Sequence, residues 1–325
     1  MTGSLLVTID TEEEGLWGGT YRSRGNTVEN LKGIPRFQEL CDEFSIRPTY
    51  FVDSPVVEDD YGANLLAELQ RSGRAEVGGH LHPWCTPPFD EELNRSNSYL
   101  CNLPEPLQLA KLRFLTEQIT TRMGRRPTSF RAGRYGLGTF AASCLVDLGY
   151  VVDSSVIPFN DLSRDGGPDF SNAPWKPYRM STDDILRPDP QGPLLELPVG
   201  VGFLSGDFVA ASRWRCRLSQ PPWSWLRLVG ILDRIGLLRR VKLSPEQSDA
   251  PTMCKLMDAS VSQGNECLML MFHSSSLVPG NTPYVRDERG LVEFYDRLRA
   301  VFSHCAKLKL HAPTVTGYAE SVGAN

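Results

Sequence analysis

The chain has 325 residues, 41% of them hydrophobic and 22% charged, and its 34 basic against 39 acidic side chains leave a net charge of -5. That length buries a substantial core without covalent staples, and the mildly acidic balance gives no electrostatic basis for nucleic acid as a partner. No stretch is long and apolar enough to span a membrane, the start Met1-Thr2-Gly3-Ser4 lacks the basic lead of a secretory signal, and the eight dispersed cysteines form no Cys-x-x-Cys pair, so a cytoplasmic protein with reduced thiols is expected.

Short apolar runs alternate with helical periodicity along the chain. In order, the pattern predicts a strand at 5–10, a helix at 27–44, a strand at 48–53, a helix at 62–72, a strand at 75–80, a helix at 105–123, a strand at 128–132 and a helix at 137–148. Strands at 150–154, 194–199 and 268–273 follow, then a helix at 291–306 and a short strand at 307–310. Such alternation predicts an α/β fold, a parallel sheet covered by helices. Seven or eight units in one chain favour a closed or nearly closed (β/α) barrel. An open doubly wound sheet is the alternative, but no Gly-x-Gly-x-x-Gly turn follows the first strand.

The whole chain, 1–325, reads as one barrel domain with an elaboration at about 200–265, containing a helical segment. Within it Arg213, Arg215, Arg217, Arg227, Arg234, Arg239, Arg240 and Lys242 meet a single acid, Asp233, among Trp214, Trp223 and Trp225. The segment 211–243 has two readings: a helix packed on the barrel with a solvated basic face, or a peripheral contact with an anionic membrane.

Five polar residues, Asp10, His80, Arg131, Asp153 and His273, close or directly follow predicted strands. In a barrel those ends share the face on which sites are built. His80 and His82 lie two apart, so in extended chain they point the same way and can converge on one metal ion. Asp10 and Glu12 share a face by the same rule; one can complete a two-histidine, one-carboxylate site while the other serves as general base. Glu13 and Glu14 fit a solvated acidic turn. Arg131 is expected to pair with Asp10, and Arg134 to be freer and to meet substrate. His273, followed by Ser274-Ser275-Ser276, suits a general acid. Asp153 either orients His273 or caps its own backbone. Cys85 reads as a wall residue, and His304 and His311 have no chemical neighbourhood.

This ordered set resembles the NodB-homology polysaccharide deacetylases, carbohydrate esterase family four. The carriers are Thr8-Ile9-Asp10, Gly79-His80-Leu81-His82, Phe130-Arg131-Ala132-Gly133, Asp153-Ser154-Ser155 and Leu270-Met271-Phe272-His273, across about residues 4–281. The likeness is nearest to a divergent branch associated with bacterial surface-polysaccharide loci. It implies a distorted (β/α) barrel and hydrolysis of an N-acetyl or N-formyl group on an amino sugar. By position, Asp10 matches the catalytic base, His80 a metal ligand, Arg131 the holder of the base and His273 the acid. The chain departs from the pattern at Thr11, where the family has a second acid, at Trp84, where it has its second histidine, and at Gly133, where it has proline. Glu12 and His82 are then the substitute ligands.

The expected site therefore comprises Glu12, His80 and His82 around a divalent metal, zinc; Asp10, Arg131, His273 and Asp153 as the catalytic set; and Trp84, Arg134 and Tyr135 toward substrate. The oxyanion would meet a backbone N–H near 133–135. The expected substrate is a small-molecule or carrier-linked amino sugar. A non-catalytic sugar- or metal-binding barrel and a metal-free ring amidohydrolase remain the alternatives.

Overall fold

The computed structural model describes residues 3–19, 21–181, 183–204, 206–226, 228–234 and 236–323. Arg227 of the basic run, and Met1 and Thr2 of the N-terminus, lie outside the described residues.

The chain begins with β1 (Ser4–Thr11), α1 (Ile34–Glu43), β2 (Thr49–Val52), α2 (Ser54–Glu58), α3 (Asp60–Arg71), β3 (Glu76–Leu81), α4 (Glu105–Met123) and β4 (Ser129–Ala132). Then come α5 (Thr139–Asp147), β5 (Val152–Asp153), β6 (Tyr178–Met180), β7 (Leu194–Glu196), β8 (Val201–Phe203), α6 (Phe208–Leu218) and α7 (Leu228–Arg234). The chain closes with β9 (Arg240–Lys242), α8 (Ala250–Ser262), β10 (Cys267–His273), α9 (Glu288–Lys307) and α10 (Val315–Ser321).

Eight strands form one curled sheet in the order β10-β1-β2-β3-β4-β5-β7-β6. All neighbours are parallel except β6, which runs antiparallel to β7. Among the described residues no ladder joins β6 to β10. Instead single bonds span the gap: Gly200 N–H to Met269 O at 3.1 Å, Leu243 N–H to Gly200 O at 2.7 Å, and Met271 N–H to Leu243 O at 3.2 Å. The result is a distorted (β/α) barrel, stitched shut by the chain on either side of the small β8–β9 ribbon.

Strand alternation sorts the side chains. Leu5, Val7 and Ile9 of β1 pack outward in the large core with Leu31, Phe37, Leu66, Leu298 and Phe302 of the covering elements. Leu6, Phe51, Val152, Leu195, Leu197, Cys267 and Met269 fill the barrel's lower interior, closed by Val315, Tyr318 and Ala319 of α10. Each fully buried Leu or Phe contributes about 1.5–3 kcal/mol relative to exposure. The same inward row on β1 runs Leu6, Thr8, Asp10, so the interior turns from apolar to charged toward the C-terminal ends of the strands.

The helices start on short polar caps: Asp53, Asp59, Asp207, Asp249 and Asp287 each accept from a backbone N–H one turn on. Two predicted elements are corrected. The helix expected from 27 begins as α-helix only at Ile34, next to Pro35, with a 3-10 turn at Glu29–Gly33 before it. The strand expected at 307–310 does not form; α9 runs to Lys307, and Lys309 turns the chain at φ 57. The elaboration at about 200–265 contains β8, α6, α7, β9 and α8.

Candidate functional site

Asp10 and His273 stand side by side, because β1 and β10 pair in register from Ser4↔Cys267 to Asp10↔His273. His80 and Arg131 pair likewise across β3 and β4. These strand ends open into a cavity of about 840 Å3, lined by Asp10, Glu12, Trp17, Tyr21, His80, His82, Trp84, Arg134, Tyr135 and His273.

Glu12, His80 and His82 converge. Glu12 Oε2 lies 3.3 Å from His80 Nε2 and 3.4 Å from His82 Nε2, and all three residues are buried. Ligand bonds of about 2.0–2.2 Å in a tetrahedron put neighbouring ligand atoms roughly 3.3–3.5 Å apart. Both distances from Glu12 match that spacing, and all three ligand atoms lie within 4.8 Å of one another, so the group can hold a cation. Both imidazoles are presented correctly. His80 Nδ1 donates to Arg131 O at 2.9 Å, and His82 Nδ1 donates to Glu13 Oε2 at 2.8 Å. Each bond fixes the proton on Nδ1 and leaves the Nε2 lone pair facing Glu12. Burial, with His80 beside it, pushes His82 well below the ordinary imidazole range, so its ring is neutral.

The charge inventory points the same way. Burial pushes the Glu12 carboxyl well above its ordinary range; the neighbouring His273 opposes this, while Asp10, Glu13 and Asp53 reinforce it. A carboxylate among other buried carboxyls needs a positive partner. Arg131 already serves Asp10, so the three atoms facing one another are left for a cation.

Asp10 is held differently. Burial would raise its carboxyl, but Arg131, His80 and His273 outweigh burial and keep it well below the usual range. Arg131 Nη1 donates to Asp10 Oδ1 at 2.6 Å. The guanidinium is itself fixed by Ser154 O and Ser154 Oγ, both at 2.9 Å, and lies 4.6 Å above the Phe51 ring.

His273 is fixed by a residue that sequence reasoning missed. Glu246 Oε2 accepts from His273 Nδ1 at 2.9 Å, and Oε1 accepts from the His273 backbone N–H at 3.0 Å and from Ser276 Oγ at 2.7 Å. Burial alone would lower the imidazole; Glu246 and Glu12 raise it to about 9. Asp153 does not orient His273. Val152 and Leu195 point into the barrel, so the next residues, Asp153 and Glu196, fall on the opposite face of the sheet. There Asp153 accepts from Ser155 N–H at 2.8 Å and Ser155 Oγ at 2.7 Å, and Ser155 Oγ in turn accepts from Ala132 N–H at 2.8 Å. Its role is to cap its own backbone and set the end of β4.

Glu13 is also corrected. It is buried rather than solvated, and its carboxylate accepts from His82 Nδ1 and from Trp84 Nε1 at 2.5 Å. Its backbone N–H donates to Asp53 Oδ2 at 2.9 Å. Glu14 is half-buried and accepts from Asn30 N–H and Asn281 Nδ2. Glu13, Asp53, His82 and Cys85 make a second group of metal-capable atoms. Its carboxylates are already committed to N–H donors, and burial pushes the Cys85 thiol well above its ordinary range, so Cys85 stays a protonated wall residue.

Trp84 is buried and stacks on His82, with centroids 4.3 Å apart, and Tyr21 packs against Trp84 with centroids 4.7 Å apart. Arg134 is not free: it donates to Tyr21 Oη at 2.8 Å and to Ser98 Oγ, and sits 4.2 Å over the Tyr99 ring. Arg134 and Tyr135 both take positive φ, 53 and 61. Gly133 before them is obligatory, since a Cβ there would lie 2.2 Å from His82 Cδ2. The proline expected by resemblance would collide with the substituted histidine. Trp17, also missed, is 39% exposed and meets His273 and Tyr284 edge-on. His304 pairs with Asp258 at 2.7 Å, away from the cavity.

No family model matches the chain, and no curated protein matches it by sequence. Solved structures do share its fold. A protein of Mycobacterium smegmatis described as a polysaccharide deacetylase superposes with a TM-score of 0.55 at 17% identity, covering 100% of this chain and 92% of its own. A glycoside hydrolase/deacetylase of Parabacteroides distasonis gives a TM-score of 0.62 at 16% identity, covering 98% of this chain and 71% of its own. At such identity the likeness establishes the fold, and it is the fold that the resemblance in sequence implies.

Proposed function

We propose that this chain is a metal-dependent hydrolase that removes an N-acetyl or N-formyl group from an amino sugar. The observation that carries the proposal is the grouping on one cavity of three separate devices: a ligand set of Glu12, His80 and His82, a carboxylate held ionised by Arg131, and an imidazole held protonated by Glu246. A sugar-binding barrel has no use for the last two.

A divalent ion, zinc by its donor set of two imidazoles and one carboxylate, would supply Lewis acidity to the amide carbonyl and to water. The chain's own groups do the rest. Asp10 takes a proton from water as its oxygen bonds to the carbonyl carbon. Arg131 keeps Asp10 ionised and aimed. Backbone N–H groups of the 133–135 turn, which lines the cavity, would donate to the oxyanion. His273 gives its proton to the amine nitrogen as the C–N bond breaks, leaving acetate or formate and a free amino sugar. Trp17 and Tyr21 offer aromatic surface to the ring, and Trp84 backs Tyr21 and His82 from behind.

The test is release of free amine from a panel of N-acetylated sugars and nucleotide sugars, before and after treatment with a chelator. Turnover that disappears on chelation and returns with zinc is expected. Full turnover in metal-stripped protein would overturn the metal-dependent reading.

A further inference from the structure

Helix α7 places Leu228, Val229, Ile231 and Leu232 within seven residues, yet buries none of them. Ile231 is 56% exposed, and Trp214, Trp223 and Trp225 in the preceding helical turns are 57%, 43% and 75% exposed. Six of the twelve large hydrophobic side chains exposed among the described residues fall within 209–237, so the apolar exposure is concentrated in one hairpin rather than scattered. Leu218 and Leu232 pack in part on the core, but packing does not explain Trp214, Trp223, Trp225, Ile231 and Leu237, which stay exposed.

The same hairpin concentrates positive charge in a protein of net charge -5: eight basic residues and one acid between 211 and 243. The acid, Asp233, is paired with Arg215. Arg213, Arg217, Arg234 and Arg239 are exposed around the tryptophans. Tryptophan favours the water–lipid boundary, and basic side chains favour anionic headgroups. A nucleic acid would use the cations and the indoles, but would leave Ile231 and Leu237 in water.

We infer that the α6–α7 hairpin is a docking surface for an anionic lipid bilayer. Its strand β9 leads directly to the site. Two residues after Arg240, about 7 Å of strand, Lys242 Nζ donates to Tyr135 Oη at 2.7 Å, and Glu246, which holds His273, follows. Resting on the deacylation reading above, this deepens it: the substrate class that fits is an amino sugar on a lipid carrier.

The experiment is sedimentation of the full chain with phosphatidylcholine vesicles, with and without phosphatidylglycerol, at low and high salt. No step depends on catalysis, so its outcome is separate from that of the amine-release assay. Pelleting is expected only with phosphatidylglycerol, weakened by salt. Arg213→Gln with Arg217→Gln should lower partitioning roughly 25-fold, at about fivefold for each cation near the surface. Trp214→Ser with Trp225→Ser should lower it as well, and because all four side chains are exposed the fold is retained. The inference is overturned by the absence of lipid-dependent pelleting, by pelleting that the tryptophan pair leaves unchanged, or by binding to a single-stranded oligonucleotide without binding to vesicles.

Discussion

Replacing Glu246 by Gln removes one charge and little else. The carboxylate accepts three hydrogen bonds, two of them from His273, and the glutamine oxygen can keep part of this set. His273 titrates near 9 in the folded chain, against burial that would lower it, because Glu246 and Glu12 stand beside it. The interval from its ordinary value of about 6.5 corresponds to roughly 3 kcal/mol, at 1.36 kcal/mol per pH unit. Because the folded value lies above the unfolded one, this stabilisation is fully present below about pH 6.5 and is lost as pH rises through 9. In Glu246→Gln the imidazole should titrate well below 9, burial then being opposed only by Glu12 and Asp10. The stability lost by the wild type between pH 6.5 and 9 should shrink accordingly, and the alkaline limb of turnover should move to lower pH. NMR titration of the His273 ring proton reads the effect directly, without needing substrate. A variant whose His273 still titrates near 9 would refute the assignment of Glu246 as the group that keeps the acid protonated.

Other substitutions probe the remaining parts. Glu13→Gln, which weakens the bond fixing His82, should cut zinc affinity by about 10–100-fold in a competition titration. Arg131→Met leaves Asp10 buried without its cation and should cost about 3–5 kcal/mol in chemical denaturation; adding Asp10→Asn should recover much of that stability but no turnover. Gly133→Ala places a methyl 2.2 Å from His82 Cδ2 and 2.6 Å from the Leu81 carbonyl oxygen, so the variant should both lose stability in chemical denaturation and bind zinc more weakly in a competition titration.

The strand ends were legible because a parallel sheet buried on both faces writes its strands as apolar runs. Asp10 was legible as the polar end of the apolar run Leu5–Ile9, and the two-residue spacing of His80 and His82 puts both on one side. Asp153 shows the limit of reading strand ends. Position along a strand does not give the face, and Asp153 lies one residue out of phase with Val152, which points inward. Glu246 was hidden for another reason. It follows Pro245 in the irregular connection after β9, so no period marks it, and its partner lies 27 residues away. Glu13 and Glu14 read as a solvent-facing turn, yet only Glu14 is partly exposed: Glu12 and Glu13 serve the two ring nitrogens of His82. A buried partner at Asp53, one residue past β2, offered no local signal.

The central claim is that Glu12, His80 and His82 hold a divalent ion at the floor of the cavity. Crystals grown with zinc and measured on both sides of its absorption edge would give an anomalous map that locates the ion among its ligands. A single strong peak between the Glu12 carboxylate and the two Nε2 atoms, lost in His80→Ala, is the expected result. No peak there, or a peak among Glu13, Asp53 and Cys85 instead, would contradict it.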